Sequence, residues 1–324
     1  MRLRLLFAVV LGLGSIAGFG QPVWPTAGWV TSPPEEQGLD NAALKAFSAE
    51  LAGSAHGYID SMLVIRHGRV VFQRSYPRDY EEAFRKAPDQ SRDPYNYYDP
   101  TWHPFHRGTE LHTLQSISKS VTATLVGIAI RRGELPGVGA AALPFFAGYR
   151  IAEDPRRGRW TLRHLLTMTA GNAWDETSLG YSDPRNSSAA MERSRDWVQF
   201  VLDQPMAEEP GRRFVYNSGA TQLLAQVLKQ ATGRHADEFA VKELFEPLGI
   251  TRHFWKSTPT GHPDTEGGLY LAAADVAKIG YLYLHDGVWD GRRILPAGWV
   301  KETTAAHVEV AGRPERRYGY QWWK

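Results

Sequence analysis

The sequence predicts an α/β protein in which a helical lobe is inserted into a sheet layer. Three observations carry this: a β-hairpin pattern near the N-terminus, helical periodicity through the middle, and an aromatic strand-like stretch near the C-terminus. Helices and strands with one apolar face each must cover one another in layers. With 324 residues, 43% of them hydrophobic, the chain has material for about two domains of roughly 150 residues.

The first segment is distinct. Arg2 and Arg4 precede an apolar run from Leu5 to Leu13, and the small residues Ala17, Gly18 and Gly20 follow. Positive, then apolar, then small is the order of a secretory signal peptide, and about nine apolar residues are too few to span a ~30 Å bilayer. We expect residues 1–20 to be a signal peptide and the remainder to be secreted or periplasmic, with no stable membrane anchor after cleavage. Next, Asp40 caps a helix whose Leu44, Phe47 and Leu51 share a face, closed by Gly53. Ser61–Arg66 and Arg69–Gln73 are β-rich runs flanking His67-Gly68, a hairpin signature. From Pro77 to Thr113 the chain is irregular and aromatic, and a loop that long usually wraps a site.

Helical patterns then run from Ser116 to about Phe245, including Gly219–Thr232, where Leu223, Leu224, Val227 and Leu228 face inward and Gly233 is the stop. Further helices are expected over Leu271–His285 and Pro296–Thr303, and a strand over Tyr318–Trp323. The expected division is a discontinuous sheet domain from 21–115 and 256–324 around a helical domain from 116–255.

Composition and motif searches remove whole classes. Lys+Arg of 37 against Asp+Glu of 35 excludes a strongly basic nucleic-acid binder. Zero cysteines exclude disulfides, thiol nucleophiles and Fe–S clusters. There is no G-x-S-x-G elbow, no Gly-Lys-[Ser/Thr] phosphate loop, and none of the 11 histidines precedes a glutamate. His103, His106 and His112 form H-x-x-H-x5-H, but no fourth ligand stands at helical spacing and Pro104 interrupts the segment. No metal or cofactor is expected.

What remains is Ser116-Ile-Ser-Lys119, the one S-x-x-K in the chain. On a helix, positions i and i+3 share a face, so the Ser116 hydroxyl and the Lys119 ammonium would be neighbours. The apolar residues beyond, Val121, Leu125, Val126, Ile128 and Ile130, predict a buried helix. Burial lowers a lysine's proton affinity, so Lys119 is expected to serve as a base. Tyr216-Asn-Ser218 precedes an amphipathic helix, and a tyrosine beside a lysine ionises more readily.

S-x-x-K followed about a hundred residues later by Tyr-x-[Asn/Ser] resembles the serine β-lactamase and penicillin-binding-protein superfamily, in its class C-like branch. His164–Gly171, Glu246–Ile250, Gly267-Gly268 with Ala274–Ala277, and Arg293–Trp299 resemble its landmarks in order. Ser218, where class C β-lactamases carry asparagine, makes the chain similar to 6-aminohexanoate-dimer hydrolases and related esterases. So do the regions around Trp24–Thr26 and Asp60–Arg66.

The resemblance implies an antiparallel sheet flanked by helices, an all-helical lobe, and an acyl-enzyme mechanism on a small ester or amide without metal or cofactor. Ser116 would attack, Lys119 and Tyr216 would share base and acid duties, and the Ser116 N–H would form half the oxyanion hole. Ser218 would hydrogen-bond Lys119 or the substrate, and Tyr181, in the loop Gly180–Pro184, would cap the substrate. Trp102, Trp174 and Tyr181 are candidate apolar walls. The resemblance places the family's third motif, Lys/His-Thr/Ser-Gly or a His-x-Gly variant, on a strand after the Trp-rich segment, and the sequence stops at Trp322-Trp323-Lys324, just before it. The expectation is therefore a truncated sequence with incomplete activity; failing that, the second oxyanion donor would come from the loop around Gly267-Gly268. A β-lactamase, a D-Ala-D-Ala carboxypeptidase and a pseudoenzyme binding module are the competing readings.

Overall fold

The computed structural model describes residues 22–53, 56–57, 59–87, 89–92, 96, 98–102 and 109–324. The expected signal peptide, and His103 and His106 of the histidine motif, lie outside the described residues.

The N-terminal part is a small sheet with one helix beside it. Strand β1 (Val30–Thr31) is followed by helix α1 (Asn41–Ala52), whose first N–H groups, those of Ala42 and Ala43, donate to Asp40 Oδ1 at 2.8 and 3.2 Å. That is the side-chain cap a helix start requires. Strands β2 (Ser61–Arg66) and β3 (Arg69–Ser75) form the expected hairpin, closing at Arg66↔Arg69. Its two turn residues have positive φ, 50° at His67 and 74° at Gly68, the backbone that matches the twist of the flanking strands. β1 adds to β3 in parallel, so this sheet is mixed rather than purely antiparallel. Helix α2 (Tyr80–Arg85), capped by Asp79, stands within the segment expected to be irregular. Strand β4 (His112–Thr113) leads towards Ser116.

Helix α3 (Ile117–Arg131) is the centre of the molecule, with Val121, Leu125, Val126 and Ile128 all buried. Its threonines are buried too, and Thr122 and Thr124 donate their hydroxyls to the carbonyls of Ser118 and Ser120 one turn back. Around it come α4 (Leu162–Leu166), α5 (Ser187–Glu192), α6 (Trp197–Asp203) and α7 (Ser218–Thr232), capped in turn by Thr161, Asn186, Asp196 and Asn217. A helical run of α8 (Ala236–Ala240), a π-helical turn (Val241–Phe245) and α9 (Glu246–Leu248) completes this lobe. Leu223, Leu224, Val227 and Leu228 of α7 are fully buried, as their spacing predicts.

Strands β5 (Phe254–Trp255) and β6 (Leu269–Leu271) build an antiparallel sheet in the order β4-β6-β5, with Thr113 opposite Tyr270. Leu114 donates to Leu269 O at 2.8 Å, so this sheet ends two residues before Ser116. After α10 (Ala273–Leu284), a short hairpin of β7 (Val288–Trp289) and β8 (Arg292–Arg293) precedes α11 (Trp299–Thr303). Strands β9 (Val308–Glu309) and β10 (Arg317–Tyr318) form a further antiparallel pair.

The expected strand over Tyr318–Trp323 is corrected. Only its first residue belongs to β10; the chain then turns back so that Tyr318 bridges Trp323, with Gln321 at φ 60°. The aromatic run reads as a strand, but the buried amide of Gln321 has stronger ties. Its Nε2 donates to the carbonyls of Leu165 and Leu166, its Oε1 accepts from Thr221, and its own carbonyl accepts from Ser120. One glutamine thereby joins α3, α4 and α7.

Beside this framework, His112 of β4 holds the N-terminal sheet. Its Nε2 lies 2.5 Å from Asp60 Oδ2 and its Nδ1 2.8 Å from Thr113 O; Asp60 also accepts from the Tyr80 hydroxyl. Both ring nitrogens face acceptors, which only the doubly protonated imidazolium satisfies. Burial disfavours that charge, yet the bonds to Asp60 and Thr113 outweigh it and raise the His112 pKa above 6.5. A raised histidine pKa gives stability that is complete below the unfolded value and is lost as pH rises through the folded one. Thermal midpoints should therefore contain a component that falls from pH 6 to pH 8.5, and Asp60→Asn should remove it. The difference between the two proteins isolates this pair from His262, whose pKa burial pushes down to about 4. An unchanged slope in Asp60→Asn counts against the pair.

Candidate active site

Ser116 is the residue at which β4 hands over to α3. It is the N-cap of α3, with φ −60° and ψ −12°, and the preceding Gln115 has φ 43°, a backbone conformation uncommon outside glycine. Its own N–H precedes the helical hydrogen-bond ladder. Lys119 is one turn on, with 1% of its surface exposed, and its Nζ donates to Ser116 Oγ at 3.4 Å. The predicted neighbourhood of these two side chains is present.

The surroundings of Lys119 differ from expectation. Its Nζ also donates to Glu266 O at 2.7 Å and to Glu266 Oε2 at 2.9 Å. Burial does push the lysine towards the neutral form, but Glu266, Tyr216 and Glu176 outweigh it, and the Lys119 pKa is raised well above its ordinary value. The expectation of a buried lysine with weakened proton affinity is thus corrected: a charged partner overrides desolvation. Burial likewise disfavours charge on Glu266, and the Lys119 ammonium wins there too, holding its carboxyl below the ordinary range.

Tyr216 is brought in by the stretch His164–Gly171. Met168, at φ 56°, turns its carbonyl to accept from Val215 N–H at 2.9 Å. The Tyr216 ring lies 5.3 Å from Lys119 Nζ and stacks on Trp323 at 5.8 Å between centroids. Asn217 caps α7 by accepting from Ala220 N–H at 2.9 Å. Ser218 is buried at the first turn of α7, where its N–H and its hydroxyl donate to the two oxygens of Glu176 at 2.7 and 2.9 Å. Its hydroxyl proton is thus taken by Glu176.

Glu176, absent from the sequence reading, organises this side of the site. Besides Ser218 it accepts from Trp174 Nε1 at 2.6 Å and from the Tyr181 hydroxyl at 3.2 Å. Burial raises its pKa; the Lys119 charge opposes and the Glu266 charge adds. Tyr181 is 48% exposed, and Ile117, directly after Ser116, is 53% exposed, so both present apolar surface near the serine's helix start. Trp174 is not a wall: it is buried against Phe200 of α6 and against Gly219, where a Cβ would come within 2.9 Å of its ring. Trp102 packs on Phe254 of β5.

The loop before β6 carries the remaining acids. Asp264 Oδ1 accepts from the N–H groups of Glu266 and Gly267 at 3.2 and 2.9 Å, and Gly268 N–H donates to Asp264 O at 3.0 Å. Both glycine N–H groups are engaged, so this loop does not offer the oxyanion donor expected of it. Burial, with the Glu266 charge, pushes the Asp264 pKa up to about 7. Burial and the Glu266 and Asp264 charges push Glu192 well up also. Asp264-Thr265-Glu266 directly precedes the Gly267-Gly268 landmark; two acids beside a glycine pair, just before the apolar run Leu269–Ala274, were the available signal. Both nitrogens of His112 are engaged, and among the described residues no group of three or more His, Asp or Glu could hold a metal. Nor is any helix among them long and apolar enough to cross a membrane.

The beta-lactamase family model matches residues 46–323. The chain belongs to the beta-lactamase family. Among its curated relatives, the 6-aminohexanoate-dimer hydrolase of Paenarthrobacter ureafaciens is 26% identical over 233 residues, which is 65% of this chain and 57% of that protein. The chain thus matches little more than half the length of that relative. A Bacillus anthracis structure provisionally assigned as a 6-aminohexanoate-dimer hydrolase superposes with a TM-score of 0.64 at 18% identity, covering 86% of this chain and 67% of that one. EstCE1, a hydrolase with promiscuous acyltransferase activity, superposes with a TM-score of 0.60 at 18% identity, covering 87% and 84%. In this beta-lactamase-family fold, small antiparallel sheets and a helical lobe bring Ser116, Lys119, Tyr216 and Ser218 together, with Tyr181 tied to them through Glu176.

If Glu176 is the organiser, Glu176→Ala leaves Trp174 Nε1 and Ser218 N–H buried without an acceptor. Each such donor costs about 1–3 kcal/mol. Urea unfolding should register a loss of at least about 2 kcal/mol, with a smaller loss for Glu176→Gln, which keeps one acceptor oxygen. Equal, negligible losses would show that these bonds do not matter.

Proposed function

We propose that the protein is an exported serine hydrolase that cleaves ester or linear amide bonds through an acyl-enzyme. One observation carries the reading: the Ser116 hydroxyl stands at the start of a buried helix, 3.4 Å from an ammonium whose other side faces a tyrosine ring. Ser116 Oγ attacks the acyl carbon, and the oxyanion develops near the Ser116 N–H, where the helix N-terminus favours negative charge. Lys119 and Tyr216 form the proton-transfer pair that carries the serine proton to the leaving oxygen or nitrogen. Water then repeats the sequence on the acyl-enzyme.

Relatives named as a 6-aminohexanoate-dimer hydrolase and as a lovastatin esterase support linear amides and esters as the substrate class. So does Ser218, which stands where β-lactamases of the class C branch have asparagine. Tyr181 and Ile117 supply apolar surface for the acyl or leaving group. Residues 1–20 serve as the export signal, and the protein is secreted or periplasmic.

A fluorophosphonate probe should label Ser116, and Ser116→Ala should abolish labelling; an adduct mapped elsewhere overturns the assignment. Lys119→Ala or Tyr216→Phe should each slow ester hydrolysis by about 10²–10⁴, and the double variant should lose little more, because members of one unit are not additive. On a panel of p-nitrophenyl esters, linear ω-amino-acid amides, nitrocefin and D-Ala-D-Ala peptides, esters and linear amides should turn over fastest. Faster turnover of nitrocefin or the peptide moves the protein to the competing readings, and a stable adduct without turnover points to a binding module.

A further inference from the structure

On the Tyr216 side the site ends in an aromatic shelf with a cation over it. Trp323 stacks on Tyr216 at 5.8 Å between centroids and meets Phe214 and Tyr318 edge-on at 5.6 and 5.0 Å. Phe214 and Tyr318 belong to a small apolar cluster with Met168 and Val310, so the shelf has a packed base. Trp323 itself is 46% exposed. Arg316, from the turn joining β9 to β10, has its guanidinium carbon 5.8 Å from the centre of the Trp323 ring, within reach of a cation–π contact.

The neighbouring arginines are committed and Arg316 is not. Arg317 donates Nη1 to the carbonyls of Pro314 and Arg316 at 2.6 and 2.9 Å, and its Nη2 lies 3.1 Å from Glu309 Oε1. Arg213 donates to Glu208 Oε1 at 2.8 Å. The Arg316 guanidinium makes no hydrogen bond among the described residues, and its ion-pair partner, Glu315, has Oε1 3.7 Å from Nε. Its two Nη groups, the fork that takes a carboxylate through two parallel bonds, are open. Arg212, Arg313 and Lys324, exposed in the same two segments, add positive potential to this rim.

We propose that Arg316 is a specificity-determining residue that anchors a carboxylate at the far end of the leaving group. The preferred substrates are then esters or linear amides whose leaving group is an ω-hydroxy or ω-amino acid with a free carboxylate. This rests on the serine-hydrolase reading and narrows its substrate class. In that reading the proton passes through Tyr216 to the leaving oxygen or nitrogen, so the leaving group starts beside Tyr216. From there the Trp323 ring and the Arg316 guanidinium follow in steps of 5.8 Å each. Two such steps call for a spacer of several methylenes between the scissile bond and the carboxylate. The half-exposed indole gives that spacer an apolar surface to lie on.

The test is a matched set of acetate esters on the full chain: 2-acetoxyacetate, 4-acetoxybutanoate and 6-acetoxyhexanoate, each beside its primary carboxamide, with kcat/KM read from acetate release. The carboxylate-to-carboxamide ratio cancels any loss common to both. In the wild type this ratio should rise with the spacer and reach about fivefold for 6-acetoxyhexanoate, the size of a good exposed ion pair, chiefly through KM. Arg316→Gln should bring the ratio down to about one, and Arg316→Lys, a charge without the fork, should restore part of it. Arg212→Gln, which removes a neighbouring cation, should leave the ratio nearly unchanged. A wild-type ratio of one or less at every spacer overturns the proposal, and so does a ratio that survives Arg316→Gln. An equal fall in Arg212→Gln overturns it too, because the preference then belongs to the field of the rim and not to an anchor. Absence of ester turnover and of Ser116 labelling in the wild type would refute the hydrolase reading instead. Calorimetry then decides the anchor: tighter binding of 6-acetoxyhexanoate than of its carboxamide, lost in Arg316→Gln, supports it, and equal binding overturns it.

Discussion

The architecture depends on one buried ion pair. Lys119 and Glu266 are 1% and 4% exposed, and neither could be charged there alone. The effective cost of taking an ion out of water is several kcal/mol, and a close opposite charge with further hydrogen bonds is what offsets it. The pair therefore fixes the distance between α3 and the loop before β6. That loop is shaped to deliver the carboxylate: Asp264 accepts from the N–H groups of Glu266 and Gly267, and Gly268 lies so close to the Asp264 side chain that a Cβ would stand 2.6 Å from it. From Gly268 the chain runs directly into β6, which pairs with β4 and so sets the point where Ser116 begins its helix.

A second carboxylate does for the helical side what Glu266 does for the sheet side. Glu176 ties together Trp174, Ser218 and Tyr181, residues from two segments that meet only in the folded chain. The site thus holds four acids, Glu176, Glu192, Asp264 and Glu266, against the two buried lysines Lys119 and Lys256. Burial raises the pKa of three of them, Glu176, Glu192 and Asp264, and the charge on Glu266 adds to it in each. Membership of the beta-lactamase family supplies the scaffold on which this happens. At 18% identity a shared fold says little of the reaction, because function is carried by the site and not by the layers around it.

Much of the framework and part of the site were legible in the sequence, and the physical reason is locality. The Asp40 cap, the His67-Gly68 turn, the inward face of α7 and its Gly233 stop each depend on residues within a few positions of one another. So does the i, i+3 pairing of Ser116 with Lys119. What tertiary structure alone decided are quantities set by partners far along the chain. The charge of Lys119 is governed by Glu266, 147 positions away, and the Ser218 hydroxyl by Glu176, 42 positions away. The turn after β10 is set by Gln321, which binds carbonyls 155 and 156 positions earlier. Periodicity marks which face of an element is buried, but a buried face does not state which charge or amide waits on the other side. Burial alone predicted a lysine with weakened proton affinity; the folded chain placed a carboxylate 2.9 Å from it and reversed the sign.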